Sequence, residues 1–128
     1  MAIQRAFSGA PWETQVAYCR ALRHGNRIFV TGTAAFAVEG GVVGIGDGYA
    51  QARRCLEIIQ ASLADLGADM SAVVRTRMFV TDISRWEAYG RAHAEFFADH
   101  PPCTTMVEVN RLIHPDMLIE IEADAIVT

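Results

Sequence analysis

Two glutamates near the C-terminus, Glu120 and Glu122, are the strongest candidates for chemistry in this sequence. They stand two residues apart in Ile119-Glu120-Ile121-Glu122-Ala123-Asp124-Ala125, an alternation that reads as a strand with its carboxylates on one face. Two positions on one strand face are separated by about 7 Å. Carboxylates at that distance perturb each other's titration and can do acid–base work. The same pattern also describes the outward polar face of an edge strand.

Other chemistries find little support. The four histidines show no HxxxH or HExxH spacing, and the three cysteines, Cys19, Cys55 and Cys103, form no CxxC, so no metal site is expected. His93 falls on an apolar helical stripe and reads as a core residue. There is no GxSxG elbow and no G-x-G-x-x-G at a strand–helix junction. Gly44-Ile45-Gly46-Asp47-Gly48 precedes a helix, but Asp47 would repel a phosphate, so a helix entry is the plainer reading. All 11 basic residues are arginine, which excludes Schiff-base lysine chemistry and a Walker-type phosphate lysine. The net charge of -4 and the scattered arginines disfavour nucleic-acid binding.

The chain has 128 residues, 52% of them hydrophobic, with a mean hydropathy of +0.18. That composition describes one folded domain spanning residues 1–128 and excludes disorder. The odd, dispersed cysteines suit a reducing compartment. The apolar stretch Ile28 to Val38 is too short to cross a bilayer, and a cytoplasmic location is expected.

The elements that must position the carboxylates follow from period and punctuation. Tyr18 to Leu22 reads as a strand, His24-Gly25-Asn26 as a turn, and Arg27 to Thr33 as a second strand, which together make a hairpin. A short strand is expected around Val42-Val43. Asp47 caps an amphipathic helix whose stripe runs Ala52, Cys55, Leu56, Ile59, Leu63 and Leu66 before Gly67 closes it. Val73 to Val80 is a strand, with Val74, Met78 and Val80 toward the helices and Arg75, Arg77 and Phe79 on the other face. Ser84 to Glu87 reads as a capping box for a second helix bearing Trp86, Tyr89, His93, Phe96 and Phe97, which ends at His100-Pro101-Pro102. Thr104 to Val109 and Met117 to Val127 are the last strands. The expected fold is α+β, a two-layer sandwich of a mixed six-stranded sheet with two helices on one face. The second face mixes Arg75, Arg77 and Phe79 with Glu120, Glu122 and Asp124, which suits either solvent or cover by another subunit.

Several fragments, in order along nearly the whole chain, resemble the RidA/YjgF family, also called endoribonuclease L-PSP. They are Gly25-Asn26-Arg27-Ile28-Phe29-Val30-Thr31-Gly32, Gln51-Ala52-Arg53-Arg54-Cys55-Leu56, Phe79-Val80-Thr81-Asp82, and Val107-Glu108-Val109-Asn110-Arg111-Leu112 with Ile119 to Ala123. The resemblance implies a chorismate-mutase-like fold and a homotrimer with small-molecule clefts between subunits. It also implies cofactor-free hydrolysis of reactive imines or enamines such as 2-aminoacrylate. By that resemblance Glu120 holds the attacking water, Tyr18 is the site tyrosine, and Thr31 and Gly32 face the ligand. Tyr89, Cys103 and Thr104 complete the expected ligand-binding set. Thr104 stands where the archetype has an arginine that clamps the substrate carboxylate, and Gly90 replaces an asparagine of some members. A charged bidentate contact of that kind contributes roughly 1.5–3 kcal/mol. The chain is therefore expected to act on a substrate other than 2-aminoacrylate, or to bind a metabolite as a non-catalytic or regulatory trimer.

Overall fold

The C-terminal strand lies in the middle of the sheet, not at its edge. In a computed structural model that describes residues 2–128, six strands run in the order β1-β2-β3-β6-β4-β5. They are β1 (Ile3–Ala6), β2 (Ala21–His24), β3 (Arg27–Ala34), β4 (Val73–Val80), β5 (Cys103–Glu108) and β6 (Ile119–Ile126). The helices are α1 (Pro11–Val16), α2 (Gly48–Asp65) and α3 (Trp86–Phe97). β6 pairs antiparallel with both β3 and β4, while β4 and β5, joined across α3, pair parallel. This is the mixed six-stranded α+β architecture the alternating periods imply, with one further helix.

The hairpin forms as expected, with His24 opposite Arg27 across Gly25, whose φ is +62°. Asp47 caps α2 by accepting a hydrogen bond from the Ala50 amide, and Gly67 follows its end at φ +78°. The α2 stripe of Ala52, Cys55, Leu56, Ile59 and Leu63 is fully buried against Ile119, Ile121 and Ala123 of β6. The opposite face of β6 carries the charges. Arg75 stands across from Asp124, Arg77 from Glu122 and Phe79 from Glu120, and Arg77 bridges Glu122 at 3.6 Å and Asp124 at 3.2 Å. No helix of the described residues is long and apolar enough to cross a membrane.

Four local expectations are corrected. The strand expected over Tyr18 to Leu22 is β2 and starts only at Ala21, because α1 ends in a left-handed Ala17 (φ +70°) and residues 18–20 connect the two. Residues 42–43 form only an isolated bridge, Phe36 to Val42, beyond Gly40 and Gly41 at φ +103° and +82°; β1 supplies the sixth strand instead. Ser84 is not the helix cap: Asp82 accepts from the Ser84 amide and hydroxyl and starts a 3₁₀ turn that runs into α3. Val74 is 40% exposed because a register shift between Val73 and Arg75 turns Val73 inward in its place.

Candidate functional site

The bulge in β3 makes the site. Pairing of β3 with β6 shifts between Val30 and Thr33, so Thr31 and Gly32 are out of register just where Ala34 meets Glu120. Glu120 folds its carboxylate over Gly32, and a Cβ there would collide with Glu120 Oε1 and stand 3.1 Å from Cδ. Glycine at position 32 is the condition for this close approach.

Above it opens a cavity of 280 Å³. Trp12 and Val16 of α1, Tyr18, Phe36, and Ile113 with Met117 of the loop before β6 supply its apolar walls; Glu120, Arg20 and Thr31 supply its polar groups. Buried Gln51 holds that loop in place. Its amide donates to the carbonyls of Gly44 and Asp116, and its carbonyl accepts from the Leu118 amide at 2.8 Å.

The Glu120 carboxylate forms no hydrogen bond or ion pair with the described residues. Burial pushes its pKa above the ordinary glutamate value, Arg20 pulls it down, and Glu122 pushes it up. A carboxylate in this condition is a stronger base than an exposed one and is free to accept from a donor in the cavity.

Beneath the cavity floor lies an ion pair that the sequence reading missed. Arg20 and Glu13 meet at 3.1 Å, their side chains 3% and 2% exposed. Glu13 also accepts from the Ser8 amide and hydroxyl. Arg20 Nη1 donates to the Gly32 carbonyl at 2.7 Å and to Thr33 Oγ1 at 3.2 Å, and Nη2 reaches the Tyr18 hydroxyl at 3.5 Å. The signal available for α1 was Pro11 in front of Trp12-Glu13, since proline is favoured at a helix's first turn. Arg20 offered none, because arginine in a strand is ordinary and its burial depends on Glu13.

Of the residues proposed from sequence, the fold brings Tyr18, Thr31, Gly32 and Glu120 together around the cavity. Thr31 Oγ1 donates to the Cys19 carbonyl at 2.8 Å, so it shapes the wall. Tyr89 does not join them. It is completely buried, its ring lies against Gly48, and its hydroxyl has no partner, so it is a core residue and not a ligand contact. Cys103 and Thr104 lie on β5, at the sheet edge, two strands away from β6. Thr104 is tied to the core: Thr76 Oγ1 donates to Thr104 Oγ1 at 2.7 Å and lies 2.8 Å from His93 Nε2. His93 is thereby a hydrogen-bonded core histidine, its pKa lowered by burial.

Comparison with known proteins gives a consistent answer. Residues 9–127 match the family model described as Endoribonuclease L-PSP. A crystal structure of a Mycobacterium tuberculosis member of the YjgF/YER057c/UK114 family superposes with a TM-score of 0.89 at 43% identity, covering 98% of this chain and 100% of the other. The Escherichia coli YjgF structure superposes with a TM-score of 0.78 at 32% identity, covering 85% and 87%. A protein of Acinetobacter baylyi named 3-aminoacrylate deaminase RutC is 33% identical over 108 residues, 84% of this chain and 85% of its own.

Proposed function

This chain belongs to the RidA/YjgF (endoribonuclease L-PSP) family, and on that premise we propose that it hydrolyses a small reactive imine or enamine in the Glu120 cavity. The observation that carries this reading is the Glu120 carboxylate, unpaired, partly buried and facing a half-open cavity. The 3-aminoacrylate deaminase relative supports the reaction class.

Glu120 holds a water and takes one of its protons as the oxygen adds to the imine carbon. The proton passes to nitrogen, the carbon–nitrogen bond breaks, and ammonia leaves with a carbonyl product. An enamine is first protonated on carbon to give the imine. Tyr18, whose oxygen accepts from Arg20 Nη2, keeps its own proton to offer the substrate nitrogen. No cofactor is needed for this addition and elimination.

We place this site at a cleft between subunits of a homotrimer. The charged face of β4 and β6, with Phe29 half exposed beside it, suits cover by another copy. Thr104 and Cys103 at the β5 edge would then reach a neighbouring copy's cavity. With threonine in place of the clamping arginine, 2-aminoacrylate is not the preferred substrate. That same threonine favours a second reading, a trimer that binds a metabolite without converting it.

The test is ammonia release from imines generated in situ by amine and amino-acid oxidases, including 2-aminoacrylate, with light scattering to count subunits. The expected result is acceleration of at least one imine beyond buffer, about 10²-fold or more of it lost in Glu120→Gln. A trimer that retains a metabolite unchanged and accelerates no imine supports the second reading.

A further inference from the structure

The cavity contains one cation among its described lining residues, Arg20, and each of its three nitrogens already faces a protein partner. A guanidinium has five N–H groups. Nε donates to Glu13 Oε2 at 3.1 Å, with Ser8 Oγ also within 3.2 Å. Nη1 directs its two protons to the Gly32 carbonyl and Thr33 Oγ1. Nη2 meets Glu13 at 3.1 Å and Tyr18 at 3.5 Å. The positive charge is cancelled at contact by Glu13, itself buried. The remaining uncompensated charge at the wall is Glu120.

We infer that this cavity selects by charge: it accepts an apolar amine or imine, protonated or neutral, and excludes a ligand that carries a carboxylate. The inference concerns the same cavity as the proposed hydrolysis and rests on its being the ligand site, but it is a statement about binding. A ligand carboxylate would face Glu120 without a free donor cation, and like charges in a partly desolvated site repel. To reach Arg20 it would have to displace Glu13, leaving that carboxylate buried and alone. An ammonium or iminium N–H finds the unpaired carboxylate of Glu120, and the Trp12 ring in the wall, which carries no protein cation, attracts a ligand cation. The apolar body fits Val16, Ile113 and Met117. Thr104, aligned by resemblance with the clamping arginine, is neutral and adds no cation.

Trp12 reports on the site directly. The chain has two tryptophans, and Trp86, 57% exposed, lies outside the cavity, so Trp86→Phe leaves Trp12 as the only indole. Titration of this variant with benzylamine, benzyl alcohol and phenylacetate at pH 7 compares a cation, a neutral molecule and an anion on one ring. Benzylamine is expected to bind at least about tenfold more tightly than phenylacetate, with benzyl alcohol between them. Glu120→Gln in the same background, shown to be folded by circular dichroism, should reduce that ratio to roughly threefold or less. Phenylacetate binding as tightly as benzylamine, no response to any of the three, or an unchanged ratio in Glu120→Gln would each overturn the inference. An ammonia-release assay on the same preparation separates the two claims. Selective binding without turnover defeats the hydrolysis and leaves the charge selection standing. Turnover confined to imines bearing a carboxylate does the reverse.

Discussion

The carboxylate of Glu120 lies over the Cα of Gly32, in the space a methyl group on residue 32 would need. The contact joins the bulged segment of β3 to the first charged residue of β6, and it aims Glu120 into the cavity instead of along the sheet. Gly32 needs no left-handed backbone, so the requirement is for space alone.

Gly32→Ala is therefore expected to fold and to lose function. The colliding atom is the end of a flexible side chain, so Glu120 swings away at a stability change within about 1 kcal/mol. Ligand response at Trp12 and any ammonia release should fall by about tenfold or more. Circular dichroism melting beside the titration checks both halves.

Glu120 makes stability depend on pH in a direction opposite to an ion-paired carboxylate. Its folded pKa is raised, so the folded state holds the proton more tightly than the unfolded chain does. The resulting stabilisation is present at low pH and is lost as pH rises through the raised value. Glu120→Gln should raise the melting midpoint at pH 7, and the gain should shrink toward pH 4. The acid limb of any activity profile should lie above the ordinary glutamate range, because the carboxylate is the working form.

Breaking the Glu13–Arg20 pair from one side should be severe. Glu13→Gln leaves Arg20 buried without its counter-ion, at a loss of about 3–5 kcal/mol. The joint replacement Glu13→Leu with Arg20→Met should recover most of it, while the Gly32 carbonyl and Tyr18 hydroxyl remain without their donor and ligand response stays low. Urea unfolding of Glu13→Leu, Arg20→Met and the double variant measures the coupling.

Tyr89 and Gly48 test the core assignment. Tyr89→Phe removes a buried hydroxyl that has no partner, so stability should stay level or rise, and ligand response should not change. Gly48→Ala brings a Cβ within 2.8 Å of the Tyr89 ring and should cost about 1–3 kcal/mol. A Tyr89→Phe protein that folds but no longer responds to ligand would return Tyr89 to the site.

Burial is what the local pattern tells least about. The hairpin turn at Gly25-Asn26, the Asp47 cap and the strict alternation of β6 are written in adjacent residues, because backbone conformation and amphipathic period are local properties. The shared face of Arg77, Glu122 and Asp124 was legible in the same way, but their ion pairs needed β4 to lie beside β6. Tyr89 misled because an aromatic at helical spacing looks alike whether it lines a cavity or fills a core. Val74 misled because one bulge reverses the faces beyond it.

From its amino acids alone the chain determined a mixed α+β sheet, a family, and, through the resemblance, Tyr18 and Glu120 as candidates that line one cavity. The tertiary structure alone decided that β6 is central, that the β3 bulge clears room over Gly32, and that Arg20 is spent on Glu13. The reason is range. Periodicity reports which way a side chain points from its own backbone, whereas the charge left free in a cavity depends on partners that only folding brings within about 3 Å.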